Sequence, residues 1–167
     1  AALAAYPELG CVADTTYSVG QAWGVYKEAF CPKPETFEFL YRVLDEVMAL
    51  FPSQYIHIGG DEVEKDQWMH CAYCQQLIKE KNLVDEHGLQ GYFTKTIAEY
   101  VQSKGRNIIG WDEILTNDLP QQAAIMSWRG VNGGIDAARA GHYAVMTPGS
   151  HCYFDYYQSD PETEPLT

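Results

Sequence analysis

Two adjacent carboxylates, Asp61 and Glu62, stand directly after a pair of glycines in the stretch YIHIGGDEVE. Neighbouring like charges repel each other unless solvent, hydrogen bonds or a proton on one of them relieves the repulsion. A carboxyl that keeps its proton at neutral pH can serve as a general acid. We therefore expect one carboxyl to donate a proton to a leaving group while its neighbour stays ionised.

The closeness of the two carboxylates also bears on the nucleophile. Two-carboxylate glycosidases place their carboxyl groups across the scissile bond, about 5–5.5 Å apart for retention and about 6.5–9.5 Å apart for inversion. Neighbouring residues at one strand end reach the same side of a sugar more easily than opposite sides. This arrangement predicts that Asp61 assists the reaction and that the nucleophile comes from the substrate.

Strand-like and helix-like segments alternate along the chain. Apolar residues at positions i, i+3, i+4 and i+7 predict amphipathic helices, and short runs rich in β-branched and aromatic residues predict buried strands. The predicted helices cover residues 34–51, 66–81, 88–104 and 134–140, and the predicted strands cover residues 55–58, 107–111, 123–128 and 142–146. This alternation is typical of βαβ units around a parallel sheet.

Each predicted strand is followed by polar or aromatic residues, in the segments GGDE, GWDE, SWRG and TPGSHCYFD. In a parallel β/α barrel the active site is assembled from the carboxyl ends of the strands. We therefore expect these four segments to converge on one pocket. The chain has no GxGxxG after a strand and no GxxxxGKS or GxxxxGKT, so dinucleotide and nucleotide-phosphate binding have no sequence basis.

The stretch HIGGDE closely resembles the signature of glycoside hydrolase family 20, the β-N-acetylhexosaminidases, and the resemblance continues through GWDEIL, MSWRG and TPGSHCYFDYYQ. It implies an α/β fold of the TIM type, a (β/α)8 barrel present only in part, with roughly strands 4 to 7 and their helices. Residues 1–167 would be a partial catalytic barrel domain, truncated at both ends. The implied activity is that of an exo-β-N-acetylhexosaminidase, or a catalytic fragment of one, which releases terminal N-acetylglucosamine or N-acetylgalactosamine with retention.

The catalytic roles follow from the resemblance. In this family the substrate's own 2-acetamido carbonyl attacks the anomeric carbon, a substrate-assisted route. Carried over by motif, Glu62 is the expected general acid and then base, and Asp61 orients the acetamido group and stabilises positive charge on its nitrogen. Tyr153 is expected to donate its hydroxyl to the acetamido oxygen. By resemblance the second acidic pair, Asp112 and Glu113, is not catalytic, and one of the two is expected to help hold the pocket.

Four further residues are expected to bind or support the sugar. By resemblance Trp111 and Trp128 wall the acetamido pocket, and Asp155 hydrogen-bonds a sugar hydroxyl. His57 lies inside a predicted strand, and it faces the barrel interior if its isoleucine neighbours face the helices. Three of the assignments have a structural alternative, since Tyr153 and Trp128 could be packing residues and His57 a hydrogen-bonded core histidine.

The sequence departs from the family pattern at its ends. The opening AALAAYPEL resembles the stretch after the third barrel strand, but the Pro-Gly-His motif of that stretch is missing. The earlier strands, with an arginine that grips outer sugar hydroxyls, and the final strand region are missing too. An incomplete barrel leaves sheet edges open and an apolar interior uncovered, which favours a homo-oligomer or pairing with the missing barrel half. A non-catalytic carbohydrate-binding or assembly-forming remnant is therefore the alternative to an active enzyme.

Charge and hydropathy restrict the partners. With 11 Lys plus Arg against 23 Asp plus Glu, the net charge of −12 repels phosphate backbones and anionic membranes. We expect glycans ending in N-acetylhexosamine, or chitooligosaccharides, and neither nucleic acid nor membranes. No run approaches the ~18 apolar residues of a membrane span, and the first residues lack the basic start of a signal peptide. A secreted, periplasmic or lysosomal location is implied only by the family resemblance.

No cofactor and no metal are expected. Cys71 and Cys74 in CAYC have the spacing of metal ligands, but a four-ligand zinc site needs a second pair, and none stands at a suitable spacing. We therefore expect a helix with two cysteines on one side. A metal-dependent hydrolase using His57, Asp61 and Glu62 is a weaker alternative, because adjacent positions seldom supply three ligands and no HExxH motif is present.

The odd number of cysteines, five, leaves at least one thiol free unless it pairs between chains. Cys11 and Cys31 bracket a loop-like segment. They could form a disulfide in an oxidising compartment, or remain two unpaired buried thiols, and the sequence leaves both possibilities open.

Overall fold

The computed structural model describes residues 1–12, 15–157, 159–160 and 162–164. The strands are β1 (Tyr55–His57), β2 (Asn107–Trp111), β3 (Ala124–Ser127) and β4 (Tyr143–Met146). The helices are α1 (Ala2–Ala5), α2 (Pro34–Leu50), α3 (Asp66–His70), α4 (Ala72–Glu80), α5 (Glu86–Ser103), α6 (Asn132–Arg139) and α7 (Gly149–Cys152). Two 3-10 turns, Pro7–Leu9 and Asp112–Ile114, complete the regular structure of the described residues.

The four strands form one parallel sheet in the order β1-β2-β3-β4. Ile56 pairs with Ile108, and Gly110 pairs with Ile125, so the apolar residues of neighbouring strands lie side by side. A doubly wound sheet reverses its strand order at a switch point, whereas a barrel adds each strand beside the previous one. The consecutive order is therefore that of a barrel segment, as predicted.

One face of the sheet is covered by helices. Ile56, Ile108 and Ile125 are buried there in a core that also contains Phe37 of α2 and Val101 of α5. Helix α5 packs against β2, α2 packs against α5, and α6 packs against both β3 and β4. The helices hold the sheet from outside, and its other face points toward the barrel interior.

The interior face is partly open. By strand register it carries His57, Trp111, Met126, Tyr143 and Val145. Tyr143 is 76% exposed and Val145 is 40% exposed, although both are large residues on a strand. Apolar side chains of this size normally pack against further structure.

Strand and helix do not alternate throughout, because β2 and β3 are not joined by an α-helix. The connection contains the 3-10 turn Asp112–Ile114 and a loop. Ile114 and Leu119 from this connection are buried in the core, where they occupy space that a crossover helix would otherwise fill.

The helix boundaries have local causes. Pro34 occupies the first turn of α2, where its missing N–H costs no hydrogen bond. Helix α5 begins two residues before the predicted start, because the Asp85 carboxylate accepts hydrogen bonds from the N–H groups of His87 (2.9 Å) and Gly88 (3.0 Å). No helix of the described residues has the length and apolar character needed to cross a bilayer.

The predicted helix over residues 66–81 is broken. Cys71 adopts an extended conformation, with φ −85° and ψ 115°, between α3 and α4. The fold also supplies the second pair of cysteines that sequence spacing did not reveal, because Cys11 and Cys31 lie beside Cys71 and Cys74. In this structure Cys11 and Cys31 are free thiols.

Candidate active site

The GGDE loop leaves β1 in a conformation that few residues adopt. The φ angles are 72° at Gly59, 98° at Gly60 and 50° at Glu62. Glycine takes such values freely, whereas a non-glycine residue in a sparsely populated region costs on the order of 1–3 kcal/mol. Strain of this kind persists where surrounding contacts determine the backbone, and it concentrates at functional sites.

Contacts from three elements fix this loop. The Trp111 N–H donates to the Gly59 carbonyl (2.9 Å), and the Gln90 amide of α5 donates to the Gly60 carbonyl (2.8 Å). A Cβ atom at Gly60 would overlap the Ile114 side chain, so no larger residue fits without movement. Neither Gln90 nor Ile114 is among the predicted site residues, because Gln90 lies outside the motifs and Ile114, although part of GWDEIL, has an apolar side chain.

His57 lies on the interior face and supports both the loop and an indole. Its Nδ1 atom accepts a hydrogen bond from the Gly59 N–H (3.1 Å), and its ring centre is 4.9 Å from that of Trp111. Burial lowers the pKa of His57, and the negative charge of Asp61 opposes this shift. The neutral ring, whose Nδ1 can accept the Gly59 hydrogen bond, is therefore favoured at neutral pH.

Aromatic rings continue from His57 along the carboxyl edge of the sheet. The Trp111 and Trp128 ring centres are 6.5 Å apart with an interplanar angle of 70°. Trp128 and Tyr153 stack at 6.4 Å with an angle of 11°. Trp111 ends β2, whereas Trp128 and Tyr153 follow β3 and α7, so three separate segments build one row of rings, which we call the aromatic row.

The second acidic pair holds the Trp128 segment in place. The Trp128 Nε1–H donates to both carboxylate oxygens of Glu113, at 3.0 and 3.2 Å. Burial raises the pKa of Glu113, whereas the hydrogen bond from Trp128 lowers it. Asp112, whose side chain is 2% exposed, accepts a hydrogen bond from Arg129 Nε at 2.9 Å. Residues that directly follow β2 and β3 thus hold the indole in place.

Electrostatic interactions connect the carboxylates with the aromatic row. Partial burial raises the pKa of Tyr153, and the charges of Asp155 and Asp61 raise it further. The phenol therefore keeps the proton that a hydrogen-bond donor requires. The negative charge of Asp61 also opposes the lowering of the His57 pKa.

A cavity of about 750 Å³ borders the acidic side of this region. Asp61, Glu62 and His57 line it, together with apolar residues of α2 and α5. The three rings of the aromatic row are not part of its lining. We take the open edge beside the rings as the candidate sugar site, because aromatic faces and polar groups meet there, whereas most of the cavity lining comes from residues 1–30 and from helices α2 and α5.

The sequence matches the family described as glycosyl hydrolase family 20, catalytic domain, over residues 1–167. This chain belongs to glycosyl hydrolase family 20. A β-hexosaminidase of Porphyromonas gingivalis is 48% identical to this chain over an alignment of 168 positions, which covers 99% of this chain and 22% of that protein. A β-hexosaminidase of Vibrio furnissii is 36% identical, over 79% of this chain and 22% of that protein. The family 20 chain therefore spans about a fifth of the length of these curated relatives.

Solved structures share the fold. The chitobiase of Flavobacterium johnsoniae superimposes on this chain with a TM-score of 0.84 at 37% sequence identity. The superposition covers 93% of this chain and 25% of the chitobiase chain. A β-N-acetylhexosaminidase of Bacteroides fragilis gives 0.82 at 33% identity, over 97% of this chain and 33% of its own. The predicted partial TIM-type barrel is confirmed by these similarities and by the consecutive parallel sheet.

The structure brings most of the predicted site residues of the family 20 chain to the carboxyl edge of the sheet. The residues joined by ring contacts or by charge effects are His57, Asp61, Trp111, Trp128, Tyr153 and Asp155. Glu62 follows Asp61 and lines the cavity beside it. Within the described part of the chain, His57, Asp61 and Glu62 do not form a group of convergent metal ligands.

Proposed function

We propose that this chain carries the acid-base site of an exo-β-N-acetylhexosaminidase that hydrolyses terminal N-acetylglucosamine or N-acetylgalactosamine with retention. The observation that carries this proposal is that the loop of Asp61 and Glu62, at the carboxyl end of β1, is hydrogen-bonded to Trp111, the first ring of the aromatic row. An acid-base pair next to flat aromatic faces suits a sugar with an apolar acetamido methyl group. Membership of family 20 supports the same reaction class.

The first step uses the substrate's own acetamide. The acetamido carbonyl oxygen attacks the anomeric carbon, the glycosidic bond breaks, and an oxazolinium-type intermediate forms. Asp61 accepts a hydrogen bond from the acetamido N–H group and stabilises the positive charge that develops on the nitrogen. Tyr153 donates its hydroxyl to the acetamido oxygen, and its raised pKa keeps the phenol protonated.

Glu62 handles the proton in both steps. It donates a proton to the leaving-group oxygen as the glycosidic bond breaks, and it then takes a proton from the water that opens the intermediate. The Glu62 side chain extends from a backbone position of left-handed conformation. Hydrogen bonds from Gln90 and Trp111 to the two glycine carbonyls before Asp61 hold this loop in place. Water enters from the face that the leaving group has vacated, which gives retention overall.

The remaining residues position the sugar. Trp111 and Trp128 pack against the acetamido methyl group and the C–H faces of the sugar. Asp155 hydrogen-bonds a sugar hydroxyl, and His57 supports both Trp111 and the acidic loop. We further propose that residues 1–167 are part of one catalytic barrel domain. Its interior face would be covered by additional barrel strands or by a second copy, because large apolar residues of β4 are exposed.

Those exposed residues of β4 also favour a second candidate function. If the interior face is not completed, the chain could bind an N-acetylhexosamine without turning it over. Such a carbohydrate-binding or assembly-forming remnant would keep the aromatic row but would not hydrolyse glycosides. Binding and turnover must therefore be measured separately.

Binding is tested by tryptophan fluorescence of the 167-residue chain. We expect N-acetylglucosamine to change the emission, because Trp111 and Trp128 contact the acetamido group, and glucose to have little effect because it lacks that group. A Trp111→Phe/Trp128→Phe double variant should lose the response. Trp23→Phe is the matched control, since Trp23 is fully exposed and lies outside the proposed site. Equal responses to both sugars, or a response that disappears with Trp23, would contradict the proposed pocket.

A further inference from the structure

Four cysteines from three separate segments meet at one point of the fold. We call this group the cysteine cluster, and its members are Cys11, Cys31, Cys71 and Cys74. All four sulfur atoms lie within 4.8 Å of one another. Three of the distances are 3.7 Å for Cys11–Cys74, 3.9 Å for Cys31–Cys71 and 3.6 Å for Cys31–Cys74.

These distances differ from those of a disulfide. A disulfide joins two sulfurs at about 2.0 Å and leaves other thiols out of the bond. Here Cys74 contacts both Cys11 and Cys31, and Cys31 also contacts Cys71, so no exclusive pair exists. A tetrahedral site with Zn–S bonds of about 2.3 Å has edges of about 3.8 Å between sulfurs. The three sulfur distances are close to that edge.

We propose that the cysteine cluster binds one Zn²⁺ ion as a tetrahedral four-thiolate structural site. Four thiolates fill every position of tetrahedral zinc, so the ion would have no open position for water or substrate. The site therefore stabilises the fold and takes no part in the glycosidase chemistry. This proposal is independent of the proposed hydrolase activity, since metal binding is measured without turnover.

The backbone brings the first two ligands together although they are far apart in sequence. Gly10 and Phe30 form an isolated antiparallel bridge, and the Cys31 N–H donates to the Leu9 carbonyl at 2.8 Å. The Lys33 ammonium group donates to the Gly10 carbonyl at 3.0 Å. Cys11 and Cys31 therefore emerge side by side, which spacing rules for short ligand pairs cannot detect.

The other two ligands come from the break between α3 and α4. Cys71 caps α4 and Cys74 lies in its first turn, so both thiols point into the same buried cluster. The Trp68 indole N–H donates to the Phe30 carbonyl at 2.9 Å, which joins this helix pair to the segment that carries Cys31. Outer hydrogen bonds of this kind orient the ligands of structural metal sites.

A divalent cation suits a group of four neighbouring cysteines. The four sulfur atoms lie within 4.8 Å of one another, so their thiolates would repel each other without a cation between them. A bound Zn²⁺ ion offsets this repulsion.

The position of the cluster indicates what the metal would stabilise. Val63, which directly follows Glu62, packs against the hydrophobic core that contains Cys31, Cys71 and Cys74, and so does Ala29 from the long segment before α2. A bound ion would fasten this segment to the end of the acidic loop. Cys11 is only partly buried, which leaves a path for the ion to enter.

The test measures metal content in the chain purified after expression with added zinc. We expect about one zinc per chain, the stoichiometry of a single four-thiolate site. Cys71→Ser and Cys74→Ser should each lose most of this zinc. Cys152→Ser is the matched control, because Cys152 is exposed on α7 and lies outside the cluster. It should retain the zinc content of the wild-type chain.

Two further measurements keep the test decisive if the cluster variants fold poorly. The wild-type chain loaded with Co²⁺ should show the visible absorption of tetrahedral cobalt thiolate, and zinc should displace it. Iodoacetamide should modify Cys152 in the zinc-loaded chain and all five cysteines after chelation. A folded wild-type chain without zinc and without the cobalt spectrum would overturn the proposal. If the cluster cysteines are protected from iodoacetamide, and a reductant but not a chelator removes this protection, they form a disulfide. That result would also overturn the proposal.

Discussion

Replacing Glu62 with glutamine is expected to lower kcat/KM about 10²–10⁴-fold for a substrate with a poor leaving group, such as the disaccharide of N-acetylglucosamine. A sugar alkoxide leaves only with a proton, and the amide of glutamine cannot supply one. A 4-nitrophenolate leaves without such help, so the loss with a 4-nitrophenyl glycoside should be much smaller. The measurement compares kcat/KM of wild type and variant on both substrates.

The control for this comparison is Glu46→Gln, which makes the same chemical change at an exposed position of α2. It should leave both rates unchanged. Equal losses on the two substrates in Glu62→Gln would count against a role in leaving-group protonation, since only one of the substrates depends on it. If added azide restores the rate with the 4-nitrophenyl substrate, the variant lacks the general base that Glu62 provides in the second step.

Replacing Asp61 with asparagine is expected to slow both substrates, by about 10²–10³-fold in kcat, a loss typical of removing one electrostatic contact to the transition state. Formation of the oxazolinium-type intermediate places positive charge on the acetamido nitrogen whatever the leaving group is. Asparagine keeps the shape of the side chain and removes the negative charge that stabilises this nitrogen.

Steady-state rates of Asp61→Asn on the two substrates provide this measurement, with Asp118→Asn as the control at an exposed loop position. The pattern across substrates separates the two carboxylates, because Glu62 acts on the leaving group and Asp61 acts on the acetamido group. Wild-type rates in Asp61→Asn would show that this residue does not orient the nucleophile.

The strand ends could be predicted because they carry both a local pattern and a family resemblance. The strand Asn107–Trp111 has the predicted bounds, and the sheet order follows from consecutive βαβ-like segments. Trp111, Trp128 and Tyr153 come together because the carboxyl ends of parallel strands meet at one edge. Sequence order alone therefore predicts which residues share this edge.

Asp112 or Glu113 is expected from the resemblance to help hold the pocket, but the individual contacts that hold the residues of this edge could not be predicted. The hydrogen bonds from Gln90 to Gly60 and from Trp128 to Glu113 depend on side-chain directions in the folded chain. The break at Cys71 interrupts a stretch predicted as one continuous helix.

The cysteine cluster illustrates the same limit. The spacing of Cys71 and Cys74 in CAYC is that of a metal-ligand pair. Their partners, Cys11 and Cys31, are brought beside them by a β-bridge between Gly10 and Phe30. Long-range pairing of this kind is set by the whole fold, and no spacing rule for neighbouring ligands covers it.

The most direct test of the central proposal is turnover by the 167-residue chain of two substrates that differ only at the 2-position, 4-nitrophenyl N-acetyl-β-glucosaminide and 4-nitrophenyl β-glucoside. If the substrate's acetamide is the nucleophile and the site on this chain performs the chemistry, 4-nitrophenol is released from the first and not from the second. Comparable release from both would show that the nucleophile belongs to the protein. A folded chain that binds N-acetylglucosamine but releases nothing would contradict the hydrolase proposal and favour the carbohydrate-binding remnant.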